Sequence, residues 1–335
     1  MSIDLIARAR DGDGDAFREL TAPHRRELLV HCYRMLGSIQ DAEDTLQDTL
    51  LGAWQGLGGF EERASIRTWL YRIATNRCLN ALRSASRRPA KAWDIAEVEP
   101  PEPTRHGEVA WLEPIPDALL GGGIDVPLGP EGRYEQTESI SLAFVAALQV
   151  LPPRQLAVLV LRDVLGFHAK EVADMLDTTL ESVNGVLKRA RTNLARRLSP
   201  TVGREPPPAP YSLPEGDIVA KFVRAYEAAD LDAVVALLTD DVFISMPPFP
   251  HEYEGSDLVA RFFASIFGSG RRFDLVPTRA NGQPALGAYL RSRNGIRHGT
   301  GIFVLGLSGD RICAATRFDS SVLPWFGLPQ SLPGQ

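Results

Sequence analysis

Apolar residues recur at helical spacing from the N-terminus to about residue 85. Between Asp15 and Tyr33 this spacing predicts a helical segment, with a break at Pro23. A second helix is predicted over 39–54 and a third over 63–91. A glycine-rich loop separates these two. The N-terminal part of the chain is therefore expected to form an all-α domain.

The segment 89–137 has a different composition. It contains eight prolines and a run of three glycines, which are incompatible with long regular elements. Between residues 94 and 138, eleven acidic residues oppose two basic ones. We interpret this segment as a long acidic linker. The more apolar stretch WLEPIPDALL (111–120) within it is expected to dock on another part of the protein.

Helical spacing returns over 138–198, where Pro152 and Pro153 begin a helix at its first turn. A second proline cluster, 205–210, marks another boundary, and residues 214–238 are then predicted to be helical. Short apolar runs alternate with turns after this helix, as expected of an antiparallel sheet. These predicted strands are 242–246, 271–278, 285–292, 299–307 and 311–319.

The predicted fold class is therefore multidomain, with two all-α domains joined by an acidic linker and a C-terminal α+β domain. The predicted boundaries follow the composition changes. They are a helical domain 1–88, a linker 89–137, a second helical domain 138–200, a proline-rich linker 201–213 and an α+β domain 214–329.

Composition limits the classes of function. The chain has 335 residues, 36 Lys and Arg, 42 Asp and Glu, and a net charge of −6. Cys32, Cys78 and Cys313 are far apart and odd in number, so neither a disulfide framework nor a zinc site is expected. We expect no metal and no cofactor. The sequence shows no long apolar span and no apolar signal segment, which favours a cytoplasmic location without membrane contact.

Positive charge is concentrated in one segment despite the acidic total. From Arg63 to Lys91 there are seven arginines and one lysine, and no acid lies between Glu62 and Asp94. Arginines neutralise phosphates, asparagines read base edges and exposed aromatic rings stack on unpaired bases. The segment therefore suits single-stranded or melting DNA. The alternative is a solvated basic helix face with its aromatic residues in the core. The residues that step along one side of the predicted helix are Trp69, Arg72, Asn76, Asn80, Arg83 and Arg87.

The segment 167–197 has the spacing of a helix-turn-helix. Ala173 supplies the small residue where the helices cross, Asp177 lies in the turn and Val183 is the buried residue of the second helix. Either Thr178 or Thr179 can cap that helix. An ordinary helical hairpin with a basic end is the alternative. The polar residues expected to face DNA are Thr179, Glu181, Ser182, Asn184 and Lys188, with phosphate contacts from the arginines that follow.

Three segments carry a resemblance to a known family, namely DAEDTLQDTLLGAW (41–54), FEERASIRTWLYRIATNRCLNALR (60–83) and LPPRQLAVLVLRDVLGFHAKEVADMLDTTLESVNGVLKRAR (151–191). Together they resemble the extracytoplasmic-function (ECF) group of the sigma-70 family of bacterial RNA polymerase sigma factors. With WLEPIPDALL and the α+β domain, they resemble the ECF subgroup that has a SnoaL-like C-terminal extension.

This resemblance implies a transcription initiation factor that binds core RNA polymerase and recognises the minus-ten and minus-thirty-five promoter elements. The linker is expected to thread toward the active-site and RNA-exit channels, with contacts to the β subunit. Contact with the β′ clamp helices is implied for Asp41, Glu43, Asp44, Gln47 and Asp48. The minus-ten set is Phe60, Arg63, Ser65, Arg67, Trp69, Arg72, Asn76, Asn80, Arg83 and Arg87. The minus-thirty-five set is Thr178, Thr179, Glu181, Ser182, Asn184, Lys188, Arg189 and Arg191.

The C-terminal domain resembles SnoaL-like members of the cone-shaped nuclear-transport-factor-two-like fold. The resemblance implies a module that modulates sigma activity, with an intramolecular contact to the sigma domains. A small-ligand sensor and an enzyme are the alternatives. No catalytic spacing is present, so no catalytic residue is assigned and the protein is not expected to be an enzyme. The candidate ligand-pocket residues are His251, Tyr253, Asp257, His298 and Asp319.

Two rival functions follow from the residues alone. A conventional helix-turn-helix regulator would bind duplex operators without polymerase. An enzyme of the polyketide-cyclase or isomerase type would use the C-terminal domain and need a substrate-dependent rate. The acidic helix 41–54 and the basic helix that suits melting DNA favour the polymerase subunit over both.

Overall fold

The computed structural model describes residues 2–84, 98–107, 111–120, 139–198, 204–293 and 295–333. The helices are α1 Ser2–Arg10, α2 Gly14–Leu36, α3 Ile39–Gly56, α4 Ile66–Ser84, α5 Asp117–Leu120, α6 Leu142–Gln149, α7 Pro153–Leu159, α8 Ala169–Met175, α9 Leu180–Leu198, α10 Leu213–Ala228, α11 Leu231–Ala236 and α12 Ser256–Gly268. The strands are β1 Arg105–His106, β2 Leu238–Met246, β3 Phe249–Glu254, β4 Phe273–Ala280, β5 Gln283–Arg291, β6 Arg297–Ser308, β7 Arg311–Phe318 and β8 Ser331–Leu332.

These elements form two compact units. The first contains residues 2–84, 119–120 and 143–198, and the second contains 98–107, 111–118, 139–142, 204–293 and 295–333. No helix in the described ranges is both long and apolar enough to cross a membrane. Within those same ranges, no group of three or more His, Cys, Asp and Glu side chains could hold a metal ion.

The first unit begins with helices α1 to α4. Asp13 caps α2 by accepting bonds from Asp15 N and Ala16 N, and the helix ends at Gly37 in the left-handed conformation with φ 70°. The predicted break at Pro23 is wrong, because α2 is a single helix of 23 residues that contains Pro23 in its interior. Proline removes one hydrogen bond from the helix interior. Buried residues before and after it, such as Phe17 and Leu28, keep both halves in one core.

The second half of the first unit consists of α6 to α9. Pro153 is the first helical residue of α7, as predicted, and a short π-helical turn, Val160–Val164, follows. The helix-turn-helix prediction is confirmed by α8 and α9. Ala173 and Val183 are buried on its inner side. Asp177 takes the left-handed turn conformation with φ 47°, which an aspartate tolerates better than most residues other than glycine.

The second unit is built on a curved sheet with the order β1-β3-β2-β7-β6-β5-β4, and β8 pairs with β6. All pairs are antiparallel except β2 with β7. The predicted strands are all present, and the predicted helix 214–238 is divided into α10 and α11. The strands β1, β3 and β8 were not predicted.

Aromatic side chains fill the space between the sheet and helices α10 and α12. Tyr226 is buried at the centre of this core. Its ring lies 5.2 to 6.0 Å from those of Phe222, Phe263, Phe267, Phe273 and Phe303. On the opposite side of the sheet, the C-terminal segment buries Val322 and Leu323. The apolar tail therefore packs on its own domain.

Candidate nucleic-acid interface

The polar side of α3 forms the first candidate surface. Ser38 caps this helix by accepting a bond from Asp41 N at 3.1 Å. Five of the apolar side chains are buried, and the opposite side carries the predicted polymerase-binding residues. Asp44, Gln47 and Asp48 are exposed, whereas Asp41 and Glu43 are half-buried.

Leu51 belongs to this same surface. It follows Gln47 by four residues and Asp48 by three, and its side chain is 55% exposed. The sequence alone does not reveal this exposure, because a leucine within an amphipathic helix is expected in the core. The surface therefore combines three exposed polar residues with one exposed leucine.

Four of the predicted minus-ten residues lie just before α4 or in its first turn. Ser65 precedes the helix, and its Oγ accepts a bond from Thr68 N at 3.0 Å. Arg63 is exposed and pairs with Glu61. Phe60 is 5% exposed, and its ring lies 4.9 Å from that of the half-buried Trp69. Phe60 therefore supports Trp69 from beneath and does not itself lie on the surface.

The middle of α4 contacts the helix-turn-helix within the first unit. Arg72 donates to Asp177 Oδ1 at 3.1 Å, and Asn76 Nδ2 donates to the carbonyl oxygen of Met175 at 3.5 Å. The Arg67 guanidinium lies 4.9 Å from the ring centre of Phe167. Three predicted minus-ten residues are thus in contact with residues 167–177.

A buried contact lies beneath these polar ones. The Tyr71 ring meets the Phe167 ring edge-to-face at 5.1 Å, and both side chains are buried. Arg67 also stacks over Tyr71 at 4.8 Å and pairs with Glu27 at 3.0 Å. Hydrogen bonds from His24 and Arg67 lower the pKa of Glu27 against the opposing effect of its burial. Tyr71 therefore belongs to the core, as one alternative in the sequence analysis held.

The C-terminal end of α4 is exposed to solvent. Asn80 and Arg83 are exposed and bonded to each other at 3.2 Å. Arg87 lies outside the residues that the structure describes. The predicted minus-ten set is therefore distributed over a buried support, a contacted middle and an exposed end.

Helix α9 presents most of the predicted minus-thirty-five residues. Thr179 caps it by accepting a bond from Ser182 N at 3.2 Å, which decides between the two predicted caps. The apolar side of α9 is buried, and Thr178 is half-buried. The predicted contact residues that are exposed are Thr179, Glu181, Ser182, Asn184, Lys188, Arg189 and Arg191.

Two further residues modify this surface. Leu180 is 50% exposed at the start of α9, where an apolar side chain can contact a thymine methyl group. Arg191 forms two bonds to Asp163, at 2.7 and 2.8 Å, and these bonds raise the pKa of the Arg191 guanidinium. The pair is exposed, so it contributes little stability and leaves Arg191 free to exchange partners.

The candidate ligand-pocket residues are not brought together. Asp257 and His298 are exposed on α12 and β6. Asp319 caps the helical turn after β7 by accepting a bond from Ser321 N at 2.9 Å. On β3, the His251 ring lies near that of His106 in the linker, whereas the Tyr253 ring is buried in the core against Phe262 and only its OH reaches the linker.

The described part of the linker packs on the second unit at two places. Residues 98–107 extend the sheet, since β1 pairs with β3 and Tyr253 OH donates to the carbonyl oxygen of Pro101 at 3.2 Å. The His106 and His251 rings lie 5.8 Å apart. Burial, and secondarily the charge of His106, lowers the pKa of His251.

The stretch 111–118 docks on the β4–β5 hairpin. Asn281, fully buried, accepts a bond from Ile115 N at 3.0 Å and donates its own N–H to the Ile115 carbonyl oxygen at 2.9 Å. Its side-chain amide also donates to the carbonyl oxygen of Ile140 at 2.8 Å. This docking agrees with the expectation for WLEPIPDALL.

A half-buried arginine completes this attachment. Arg279 Nε lies 3.1 Å from Asp117 Oδ2, and its NH1 lies 2.5 Å from Glu215 Oε1. Asp117 Oδ1 accepts a bond from Gly282 N at 2.7 Å. The three charged side chains are between 8% and 16% exposed. No local signal in the sequence marks Arg279 or Asn281, because each lies more than 130 residues from its linker partners.

Three family models match successive segments of the chain that contain these surfaces. Residues 20–88 match the family model for Sigma-70 region 2, residues 141–194 that for Sigma-70, region 4, and residues 219–315 that for the SnoaL-like domain. The chain is 28% identical to the ECF RNA polymerase sigma factor SigJ of Mycobacterium tuberculosis, over 81% of this chain and 80% of that protein. The crystal structure of that SigJ matches with a TM-score of 0.58 at 22% identity, over 91% of this chain and 97% of that one, which shows the shared fold.

A second relative is more similar in sequence. The ECF RNA polymerase sigma factor SigG of Mycobacterium tuberculosis (strain H37Rv) is 42% identical, over 97% of this chain and 86% of that protein. Together with the two matched sigma-70 regions, this similarity shows that the chain belongs to the ECF RNA polymerase sigma factors, the non-enzymatic initiation factors that direct RNA polymerase to promoters.

Proposed function

We propose that this cytoplasmic sigma factor divides promoter recognition among three surfaces of its first unit and is regulated by its C-terminal domain. The observation that supports this most strongly is that one chain carries both an exposed acidic side on α3 and two helices, α4 and α9, with exposed basic and amide side chains that can bind DNA. Each surface has a distinct chemistry and can be tested separately.

The α3 surface binds the clamp helices of the β′ subunit. Asp44, Gln47 and Asp48 offer carboxylate and amide groups to a basic partner, and Leu51 adds an apolar contact at the same face. A leucine that is 55% exposed beside charged residues is suited to the centre of an interface. Asp41 and Glu43 lie at its edge.

Helix α4 binds the minus-ten element as it melts. Arg63, Arg83 and Asn80 supply phosphate and base contacts, and Trp69, held by Phe60, supplies a ring for stacking. The contacts of Arg72 and Asn76 with the helix-turn-helix must open before these residues can reach DNA. Promoter binding at the minus-ten element therefore requires separation of α4 from residues 167–177.

Helix α9 reads the minus-thirty-five element in the major groove. Its N-terminal residues Glu181, Ser182 and Asn184 face the base edges, and Lys188 and Arg189 contact phosphates. Leu180 is placed for an apolar contact at the same end. This assignment follows the general geometry of recognition helices, whose first turns lie closest to the bases.

The C-terminal domain regulates the factor by holding the linker. The linker contacts include the Asp117–Arg279 ion pair and the Asn281 bonds to Ile115. If the linker enters the polymerase channels and contacts the β subunit, these contacts must be released. Holding the linker therefore competes with assembly on the polymerase. The aromatic core that fills the domain favours this role over a ligand-binding one.

The competition is tested by measuring the affinity of the full chain and of Asn281→Ala for core RNA polymerase. The substitution removes two side-chain hydrogen bonds, one from Ile115 in the linker and one to Ile140, which lies just after it. We expect tighter polymerase binding by the variant. An affinity equal to or weaker than that of the unmodified chain would refute linker holding. A thermal-melting profile of both proteins checks that the C-terminal domain remains folded.

A further inference from the structure

A row of three arginines crosses one end of the sheet in the C-terminal domain. Arg297 on β6 lies directly opposite Arg291 on β5. Arg291 in turn lies opposite Arg272, since Phe273 pairs with Leu290 and Arg291 N donates to the Arg272 carbonyl oxygen at 2.8 Å. Directly opposed residues project from the same side of a sheet. The row therefore places three positive charges on neighbouring strands.

This arrangement opposes folding. Like charges that lie directly opposite in adjacent strands are destabilising. Asp274 bridges Arg291 and Arg297, whereas the Arg272–Arg291 pair has no such bridge among the described residues. Arg293, two residues after Arg291 and exposed, adds a further charge at the end of the row. An anion that binds at this surface would relieve the repulsion between the neighbouring arginines.

Acidic residues compensate for only part of the charge. Asp274 accepts two bonds from Arg291, at 2.5 and 2.9 Å, and lies 3.5 Å from Arg297 NH1. Glu227 acts on Arg291 at longer range and accepts a bond from Leu275 N at 2.8 Å. The four arginines Arg272, Arg291, Arg293 and Arg297 against these two acids leave an excess of positive charge at this end of the sheet.

Arg272 and Arg293 are the most available members. Both are exposed, and among the described residues neither pairs with an acid. Arg272 NH1 donates only to main-chain oxygens, those of Arg271 at 2.8 Å and Phe267 at 3.4 Å. Arg297 is not available in this way, because its NH2 donates to the carbonyl oxygen of Pro333 at 2.6 Å, its NH1 faces Asp274, and its Nε is buried.

We propose that the exposed members of this arginine row, Arg272 and Arg291, together with Arg293 at its end, bind the phosphate backbone of duplex DNA upstream of the minus-thirty-five element. Arginine suits phosphate because its planar guanidinium donates two parallel bonds to the oxygens. Only the short proline-rich segment 201–213 separates α9 from this domain in the chain, so the DNA next to the minus-thirty-five element is the polyanion that follows α9 most closely. The inference rests on the proposed function of α9.

The test compares the full chain with Arg272→Gln/Arg293→Gln, each assembled with core RNA polymerase. Neither residue pairs with Asp274, so the double variant leaves the ion pairs of the sheet intact. Arg261→Gln combined with Arg224→Gln, which removes two exposed arginines from helices α12 and α10, is the matched control. Two promoter duplexes are used. One ends just upstream of the minus-thirty-five element, and the other is about 20 base pairs longer, which adds roughly 70 Å.

The readout is the dependence of promoter affinity on salt concentration. Each lost phosphate contact lowers the slope of log K against log salt by about 0.9, so two contacts lower it by about 1.8. On the longer duplex we expect that decrease for the variant and none for the control. Between 50 and 200 mM salt, the affinity of the variant should therefore fall about tenfold less than that of the unmodified chain.

The outcomes separate the proposals. Equal slopes for all three proteins on the longer duplex would refute the phosphate contact. A decrease of the same size on both duplexes would also refute it, because it would indicate that an acidic surface of the polymerase or of the chain itself is the partner. Failure of the unmodified holoenzyme to bind even the shorter promoter would refute the function proposed for α9 instead.

Discussion

The attachment of the linker to the C-terminal domain predicts a local effect of Asp117→Asn. Asparagine can still accept the bond from Gly282 N, but it presents an uncharged amide to the Arg279 guanidinium, which is 15% exposed. The lost interaction is a hydrogen bond to a charged group in a mostly buried site, worth about 1.5–3 kcal/mol. Arg279 retains Glu215, so the fold of the domain should persist.

Hydrogen exchange measures this loss directly. The amides of Ile115 and Asn281 take part in the linker attachment, and they should exchange about 10- to 150-fold faster in the variant. Glu102→Gln removes an exposed carboxylate from the same linker and should leave both rates unchanged. Unchanged rates in Asp117→Asn would contradict the reasoning. An equal acceleration across the central strands would contradict it too, since it would mean that the whole domain had been destabilised.

Three further predictions concern the first unit. Asp44→Arg/Asp48→Arg should weaken core polymerase binding at least tenfold in a co-elution or titration assay, because it reverses the charge of the α3 surface. Asn184→Ala should change the preferred minus-thirty-five bases by about 1–3 kcal/mol in a promoter-library assay, whereas Lys188→Ala should weaken all promoters alike. Because burial lowers the pKa of His31 to about 3, the helices around it should lose about 2 kcal/mol of stability between pH 7 and pH 5.

Each of these has its own control and contrary result. Asp232→Arg, on the exposed side of α11, should not alter polymerase binding, and a loss as large as that of the α3 variant would remove the clamp assignment. An unaltered base preference in Asn184→Ala would show that Asn184 does not read the minus-thirty-five bases.

The sign of the His31 effect follows from its depressed pKa. The neutral ring is favoured in the fold, so its contribution is complete above pH 6.5 and is lost as the pH falls towards 3. Hydrogen exchange in α2 and α4 measures it, and His31→Gln should remove the pH dependence. Retention of that dependence in the variant would assign it to another group.

The sequence predicts well those features that depend on nearby residues. The helix-turn-helix follows from Ala173, Asp177 and Val183, whose spacing lies within one local motif. The strands of the C-terminal sheet likewise show their own alternation and turns. By contrast, Pro23 was expected to interrupt α2, since the sequence does not reveal that both halves pack into one core.

Features that depend on distant partners could not be predicted. Nothing in the local sequence of Arg279 or Asn281 indicates that they hold the linker. Nor does the sequence around Phe60 indicate that its ring packs against that of Trp69. The five pocket candidates were chosen as polar residues without a common spacing, and the fold distributes them over separate places. Composition did indicate an acidic linker. The linker also adds strand β1 to the sheet, and this pairing depends on the exposed edge of β3, which is distant in the sequence.

Run-off transcription tests the central claim most directly. Purified core RNA polymerase and the full chain are combined with promoter fragments from a library, and transcripts are mapped. The account predicts initiation at defined start sites that requires both the protein and a promoter with minus-ten and minus-thirty-five elements. Absence of any such transcript, together with tight duplex binding by the protein alone, would contradict it and indicate a conventional helix-turn-helix regulator.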